Sequence, residues 1–152
     1  MILRIVRSLD SLVTHARMSI NQGSSKLSIL IVEDSQLIVD RVAQMLSEIP
    51  RVQFVGNAGS YPQAVECLRE MKPDVVVLDI HLIGKDAGTG IDLLMHIRKM
   101  DPGIKVIMLT NFPEKHYRLL CIENGAEYFF DKSNDFEKIP EAITELAEQI
   151  LG

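Results

Sequence analysis

Asp79 is a carboxylate that directly follows four aliphatic residues, Val75-Val76-Val77-Leu78. Such a run is typical of a strand that is buried on both faces, as in the middle of a parallel sheet. Open α/β sheets bind their ligands at the carboxyl ends of the strands. Asp79 therefore lies where we expect the chemistry of this chain to take place.

Other polar side chains also come directly after predicted strands. Glu33 and Asp34 follow the first strand, Thr110 ends the fourth, and Lys132 follows the fifth. Each of them has an ordinary structural explanation when it is taken alone, such as a helix cap or a surface lysine. Their shared position at one edge of a sheet favours a common site.

The residue types indicate what such a site binds. The carboxylates of Glu33, Asp34 and Asp79 repel one another unless a cation neutralises them or their pKa values rise. Oxygen ligands without a His or Cys cluster favour Mg²⁺ over a transition metal. The Thr110 hydroxyl and the Lys132 ammonium suit an oxyanion or a phosphoryl group on Asp79.

The elements that must position these residues alternate regularly from Lys26 onwards. Strands are predicted at Leu27–Val32, Val52–Ala58, Val75–Asp79, 104–109 and 128–130. A helix follows each strand, and the connecting loops are short. This pattern predicts an α/β fold, a (βα)5 doubly wound parallel sheet with helices on both faces. The flavodoxin-like strand order 2-1-3-4-5 fits the length best, and it makes the first and third strands neighbours.

Turn and cap residues set the expected helix boundaries. Ser60 and Thr89 are predicted to cap the second and third helices. The fourth helix is predicted to open at Asn111-Phe112-Pro113, and the last to run from about residue 135 to residue 150.

Residues 1–25 are predicted to form an N-terminal extension ahead of a single domain at 26–152. Apolar residues recur at helical spacing in residues 1–18, and a polar Gly/Ser-rich linker follows. The helix would dock a partner, pair with itself or lie on an anionic membrane. Alternatively, the chain starts at Met18 and the extension is an artefact of the start site.

Composition narrows the class of protein further. The 152 residues include 47% hydrophobic and 24% charged residues, as in a globular domain, and the net charge of −5 argues against nucleic-acid binding. No stretch is apolar enough for a membrane span or a secretory signal. The spacing of Cys67 and Cys121 does not match a metal-binding motif, and we expect both to be free thiols in a reducing compartment. We therefore expect a cytoplasmic protein.

With these residues in place, the chain resembles the receiver domains of two-component response regulators from about residue 26 to residue 150. The resemblance rests on IVEDS at 31–35, VLDIHL at 77–82, LTN at 109–111 and FFDKS at 129–133. It implies a phosphoacceptor signalling protein rather than an enzyme, one that catalyses only its own Mg²⁺-dependent phosphorylation and dephosphorylation.

The resemblance also implies roles for individual residues. Asp79 accepts a phosphoryl group from a histidine kinase or a histidine phosphotransfer protein. Mg²⁺ is held by Glu33, Asp34, Asp79 and the backbone carbonyl of His81. Lys132 pairs with the phosphoryl oxygens and Thr110 hydrogen-bonds to them. Phe129 is the switch residue, and the output surface comprises the fourth helix, the fifth strand and the fifth helix.

The sequence departs from the usual receiver pattern in three places. Ile83 stands where Pro is common, and residues 85–87 look like an insertion after Asp79. Phe129 stands where Tyr is common, so the switch residue has no hydroxyl. Ser133 replaces the Pro that commonly follows the lysine, which puts a cis peptide there in doubt. We expect these changes to affect lifetime and partner choice.

Only 20 residues follow Lys132, so a separate output domain is not expected and the output is predicted to be protein–protein contact. The leading hypothesis is a stand-alone, single-domain response regulator. The alternatives are a phosphorelay carrier without conformational output and a phosphorylation-independent adaptor. A phosphatase of the haloacid dehalogenase type needs a second acid two positions after Asp79, where His81 stands, which argues strongly against it.

Overall fold

The computed structural model describes residues 25–82 and 89–152. The predictions for the N-terminal extension concern residues that lie outside these ranges, apart from its last residue. The predicted insertion at residues 85–87 lies outside them as well.

Five strands form one parallel sheet in the order β2-β1-β3-β4-β5. They are β1 (Leu27–Val32), β2 (Val52–Ala58), β3 (Val75–Asp79), β4 (Lys105–Thr110) and β5 (Tyr128–Asp131). This is the flavodoxin-like order predicted from the sequence, and β3 lies in the centre of the sheet between β1 and β4. The fold-class prediction is therefore confirmed.

Within the described residues, five helices cover the two faces of the sheet. They are α1 (Gln36–Ser47), α2 (Tyr61–Met71), α3 (Gly90–Met100), α4 (Lys115–Glu123) and α5 (Ile139–Leu151). Residues of α2, α3 and α4 share one apolar cluster, and residues of α1 and α5 share the other. Successive side chains of β3 alternate between them, since Val76 and Leu78 belong to the first cluster and Val75 and Val77 to the second.

The predicted caps of α2 and α3 are present. The Ser60 hydroxyl accepts a hydrogen bond from Gln63 N at 3.4 Å, and Pro62 lies in the first turn. Thr89 and Asp92 form a reciprocal capping box at the start of α3. These side chains satisfy amide groups that the first turn of a helix leaves without a partner.

Two helices begin later than predicted. The Phe112 amide donates to the Thr110 hydroxyl at 3.0 Å, and Pro113 disfavours helical dihedrals at Phe112, so α4 begins at Lys115. Residues Phe136–Lys138 form a 3₁₀ turn before α5 begins at Ile139. Pro140 has no N–H to donate to the carbonyl of Phe136, which prevents an α-helical bond at that point.

Three smaller expectations concern the thiols, the backbone and the membrane. Cys67 and Cys121 are both free. All peptide bonds among the described residues are trans, and this includes the bond between Lys132 and Ser133. Among the helices described, none combines the length and the apolar composition needed to cross a bilayer.

Candidate functional site

A cleft of about 350 Å³ opens at the carboxyl edge of the sheet. The residues that line it end or follow β1, β3, β4 and β5 or lie in the first turn of α1. They are Glu33, Asp34, Ser35, Ile38, Asp79, His81, Asn111, Phe112 and Lys132. The structure thus brings the predicted carboxylates and the predicted lysine into one cleft.

The central strand holds Asp79 in place. Asp79 ends β3, pairs in register with Leu109 of β4, and is only 5% exposed. The His81 amide donates to its Oδ1 at 3.2 Å. A Cβ atom on Gly90 would lie 2.0 Å from the Asp79 carbonyl oxygen, so only glycine allows α3 to begin so close to the end of β3.

The end of β1 supplies the two other acids. One carboxylate oxygen from each of Glu33, Asp34 and Asp79 lies within 4.8 Å of the others. Glu33 is buried, whereas Asp34 is exposed. The Ser35 amide donates to Glu33 Oε1 at 3.0 Å, and Asn57 Nδ2 donates to the Glu33 carbonyl oxygen at 3.1 Å. The first bond orients the Glu33 carboxylate, and the second joins the end of β1 to β2.

Lys132 brings a positive charge to the same place. Its Nζ lies 2.6 Å from Glu33 Oε2 and 3.3 Å from Asp79 Oδ2. Its backbone amide donates to the carbonyl oxygen of Thr110 at 2.8 Å, which joins the end of β5 to the end of β4. The next turn is held by Asp131, whose Oδ1 accepts from the Ser133 amide at 2.9 Å.

One lysine does not balance the buried acids. Burial raises the pKa of the Asp79 carboxyl, Lys132 and the His81 amide oppose the rise, and the Asp34 charge adds to it. Burial also raises the pKa of Glu33, as does the charge of Asp79, against the hydrogen bond from Lys132. The ionised carboxylates therefore carry an unfavourable energy in the folded protein.

The donor set fits a hard divalent cation. Its ligand atoms are all oxygens, which suit Mg²⁺, and no histidine or cysteine side chain belongs to the acidic cluster. Glu33 Oε2 already pairs with Lys132 at 2.6 Å. A carboxylate oxygen has more than one lone pair, so this oxygen can accept a cation as well as the ammonium group.

Thr110 lies at the same edge but does not line the cleft. It is fully buried, and its Oγ1 accepts a hydrogen bond from the Phe112 amide at 3.0 Å. A hydroxyl can accept one bond and still donate its own hydrogen, so Thr110 remains able to donate to a group on its neighbour strand.

An aromatic group lies beside the acids. The rings of His81 and Phe112 meet edge to face with centroids 4.6 Å apart, and the Tyr117 ring is 6.0 Å from that of His81. Phe112 lines the cleft and is 49% exposed. Part of its side chain therefore lies at the mouth of the cleft and is not buried in the core.

Three lining residues were not among the predicted site residues: Ser35, Ile38 and Asn111. Asn111 directly follows the last residue of β4, so its position at the strand end was a signal that could have been used. Ile38 gave no such signal, because its apolar side chain reads as part of the core-facing stripe of α1.

Phe129 does not line the cleft; it lies within β5, at the edge of the sheet. It is 3% exposed and belongs to the apolar cluster beneath α2, α3 and α4. The Arg118 guanidinium lies 5.0 Å from its ring centroid. The structure therefore describes Phe129 in its buried position, and the rotation assigned to it stays a prediction.

A five-stranded parallel sheet of this order, with an acidic cleft at its switch point, is the arrangement of a receiver domain. The family model described as "Response regulator receiver domain" matches residues 29–144, which is more than half of the chain. The chain therefore belongs to the receiver-domain family, whose members are phosphoacceptors of two-component signalling.

The curated relatives include full-length regulators. The response regulator GacA of Pseudomonas aeruginosa is 28% identical over 120 residues, which cover 79% of this chain and 55% of GacA. A protein-glutamate methylesterase/protein-glutamine glutaminase of Carboxydothermus hydrogenoformans is 34% identical over 128 residues, 83% of this chain and 36% of the relative. The chain thus spans about half of GacA and a smaller share of the methylesterase.

Solved structures show the same fold. The response regulator domain of Thermotoga maritima CheB superposes with a TM-score of 0.70 at 27% identity, over 83% of this chain and 96% of that domain. The isolated receiver domain of RcsB from Salmonella enterica reaches a TM-score of 0.76 at 20% identity, over 82% and 90% of the two chains. At that identity the second likeness supports the fold alone.

Proposed function

We propose that this chain is a response regulator whose Asp79 carboxylate accepts a phosphoryl group from the phosphohistidine of a histidine kinase or a histidine phosphotransfer protein. An Asp79 oxygen attacks phosphorus, the phosphorus–nitrogen bond breaks, and the imidazole that leaves takes up a proton. The observation that carries the proposal is the ion pair of 3.3 Å between Asp79 and Lys132, inside a cleft that two further acids line.

Two side chains supply donors for the transferred group. The Lys132 ammonium already lies between the carboxylates and would pair with a phosphoryl oxygen. The Thr110 hydroxyl would donate to another phosphoryl oxygen while still accepting from the Phe112 amide. Both contacts grow stronger as negative charge is brought onto Asp79, which favours the phosphorylated product.

We assign the Mg²⁺ ligands to Glu33, Asp34, Asp79 and the backbone carbonyl of His81. Support comes from the three carboxylate oxygens within 4.8 Å of one another and from the raised pKa values of Glu33 and Asp79. A bound Mg²⁺ supplies neutralisation of the charge that gathers on the carboxylate and phosphoryl oxygens.

The phosphorylated chain is proposed to act in the cytoplasm, through protein–protein contact at the surface of α4, β5 and α5. The free thiols are in keeping with a reducing compartment, and the net charge of −5 supports a protein partner over nucleic acid. In this switch, Thr110 moves towards the phosphoryl group and Phe129 fills the space that it leaves.

One observation favours the second candidate, a phosphorelay carrier without conformational output. Phe129 is already 3% exposed, so it has little further to move inwards. Amide chemical shifts with and without beryllofluoride distinguish the two. Changes that reach residues 110–135 support the switch, and changes confined to the loops around Asp79 support the carrier.

The phosphoacceptor proposal is tested by incubating the full chain with acetyl phosphate and Mg²⁺. Intact-mass spectrometry should show one added phosphoryl group, and peptide mapping should locate it at Asp79. Chelating the metal should abolish the modification. Unmodified protein, or a phosphoryl group on another residue, would contradict the assignment.

A further inference from the structure

A second cleft lies on the opposite side of β5 from Phe129. It has a volume of about 290 Å³, and we call it the β5–α5 notch. Its lining residues are Tyr128, Phe130, Lys138, Glu141, Ala142 and Glu145. This volume is just below the roughly 300–1,000 Å³ of small-molecule pockets, and it suits a single long side chain.

Two aromatic rings form one wall of the notch. Tyr128 and Phe130 point to the same side of β5, and their rings stack with centroids 5.6 Å apart and an angle of 29° between their planes. Both residues are only partly buried, unlike Phe129 between them. Because both rings line the notch and stay partly exposed, a flat or cationic group that enters the notch can contact them.

Acidic side chains form the other wall. Glu141 and Glu145 stand one helical turn apart on α5, and both are exposed. The Tyr128 hydroxyl donates to Glu145 Oε2, which holds that carboxylate beside the rings. Burial raises the pKa of Tyr128 to about 12, and the hydrogen bond to Glu145 and the charges of Glu145, Glu127 and Glu141 add to the rise.

The cation at the rim does not neutralise these acids. The Lys138 ammonium pairs with Asp135 Oδ1 at 2.8 Å. In residues 25–82 and 89–152, no lysine, arginine or histidine forms a salt bridge with Glu141 or Glu145. The notch thus presents two carboxylates without cationic partners from the described residues beside two partly exposed aromatic rings.

We propose that the β5–α5 notch binds an arginine side chain carried by a partner protein. A planar guanidinium stacks on the faces of Tyr128 and Phe130 and presents its N–H groups to the carboxylates of Glu141 and Glu145. Lysine fits less well, because its ammonium is a strongly hydrated point charge that neither stacks nor forks. The inference rests on the proposed function in one respect, since it gives the output surface a partner of stated chemistry.

The test is a titration of the full, unphosphorylated chain with the capped tripeptide acetyl-Gly-Arg-Gly-amide, followed by amide chemical shifts. Saturable shifts are expected at Tyr128, Phe130 and residues 138–145. The lysine tripeptide should bind more weakly, and the uncharged citrulline tripeptide should not bind. Glu145→Gln and Phe130→Leu should each weaken arginine binding about threefold, the scale of one exposed ion pair or one cation–π contact.

Glu148→Gln is the matched control, because Glu148 is an exposed acid of α5 that does not line the notch. It should leave arginine binding unchanged. Equal binding of the citrulline tripeptide, equal loss in Glu148→Gln and Glu145→Gln, or shifts that avoid the notch would overturn the proposal. So would self-association that Glu145→Gln abolishes without any response to the arginine tripeptide, which would make a second copy of the chain the occupant.

Failure here is distinguishable from failure of the proposed function. The titration needs no phosphoryl group, and Glu145 and Phe130 do not line the cleft that contains Asp79. If Asp79 takes up a phosphoryl group but the tripeptide does not bind, only the assignment of the notch is lost.

Discussion

An aspartate carboxylate has different partners at the two edges of the same sheet. At the amino edge, just before β3, Asp74 Oδ2 accepts hydrogen bonds from the Ser28 amide at 2.8 Å and from the Ser28 hydroxyl at 3.0 Å. At the carboxyl edge, Asp79 accepts from the His81 amide and shares Lys132 with Glu33. Asp74 thus joins β1 to β3, whereas Asp79 lies in a cleft with other acids and raised pKa values. The two acids are of the same residue type and differ in their partners, and the proposed role of Asp79 rests on that difference.

Metal binding at the carboxyl edge is expected to have the largest effect on stability. A ligand that binds only the folded state stabilises it by about 2.7 kcal/mol at a hundredfold excess over its Kd. Mg²⁺ should therefore raise the melting temperature of the wild type, and raise that of Asp34→Ala much less. Thermal unfolding with and without Mg²⁺ measures this. Equal shifts in both proteins would place the metal away from the carboxyl edge.

Asp74→Ala should destabilise the fold, by about 1–3 kcal/mol, because it leaves part-buried donors of Ser28 without their acceptor. Urea unfolding of the metal-free protein gives the free energy. Asp79→Asn is the comparison at the other edge; it removes the charge there and should leave the fold intact or stabilise it. If both variants lose stability to the same extent, the contrast between the edges is wrong.

The pH dependence should have opposite signs at two acids. The pKa of Asp79 is raised, so the wild type loses stability as the pH rises from the ordinary value of 3.8 through the raised value. In the presence of a chelator, the free energy of unfolding of Asp79→Asn should therefore rise relative to that of the wild type over this pH range. The expected difference is about 1 kcal/mol, the usual scale of one substitution. Unfolding free energies measured from pH 4 upwards test this expectation.

Asp135→Asn is the control for the sign. The hydrogen bond from Lys138 lowers the pKa of Asp135, so its contribution is present above pH 3.8 and is lost as the pH falls through the lowered value. The stability difference between this variant and the wild type should thus shrink towards acid. The same pH trend in both variants would contradict the assignment of the raised pKa to Asp79.

The smallest effect is expected at the mouth of the cleft. Phe112→Ala removes the edge-to-face contact with His81 and part of the cover over the cleft. An aromatic contact is worth about 0.5–1 kcal/mol, so access of water should rise and the half-life of the phosphorylated protein should fall about two- to fivefold. Mass spectrometry over time after removal of the phosphodonor measures the half-life. An unchanged value would exclude Phe112 from control of lifetime.

The sequence predicted the fold better than the details of the cleft. Residues 75–79 are predictable as a central strand because four consecutive apolar residues do not alternate with polar ones and are followed by one acid. The Thr110 bond to the Phe112 amide, which delays α4, depends on side-chain geometry that residue spacing does not contain. The same holds for the β5–α5 notch, since the approach of Glu141 and Glu145 to Tyr128 and Phe130 depends on how α5 packs against β5.

The central claim is that the carboxyl edge carries the phosphoacceptor, and one experiment tests it most directly. Wild type, Asp79→Asn and Asp74→Asn are incubated side by side with acetyl phosphate and Mg²⁺, and their intact masses are compared. We expect one added phosphoryl group on the wild type and on Asp74→Asn, and none on Asp79→Asn. Uptake by Asp79→Asn at the rate of the wild type would contradict the account.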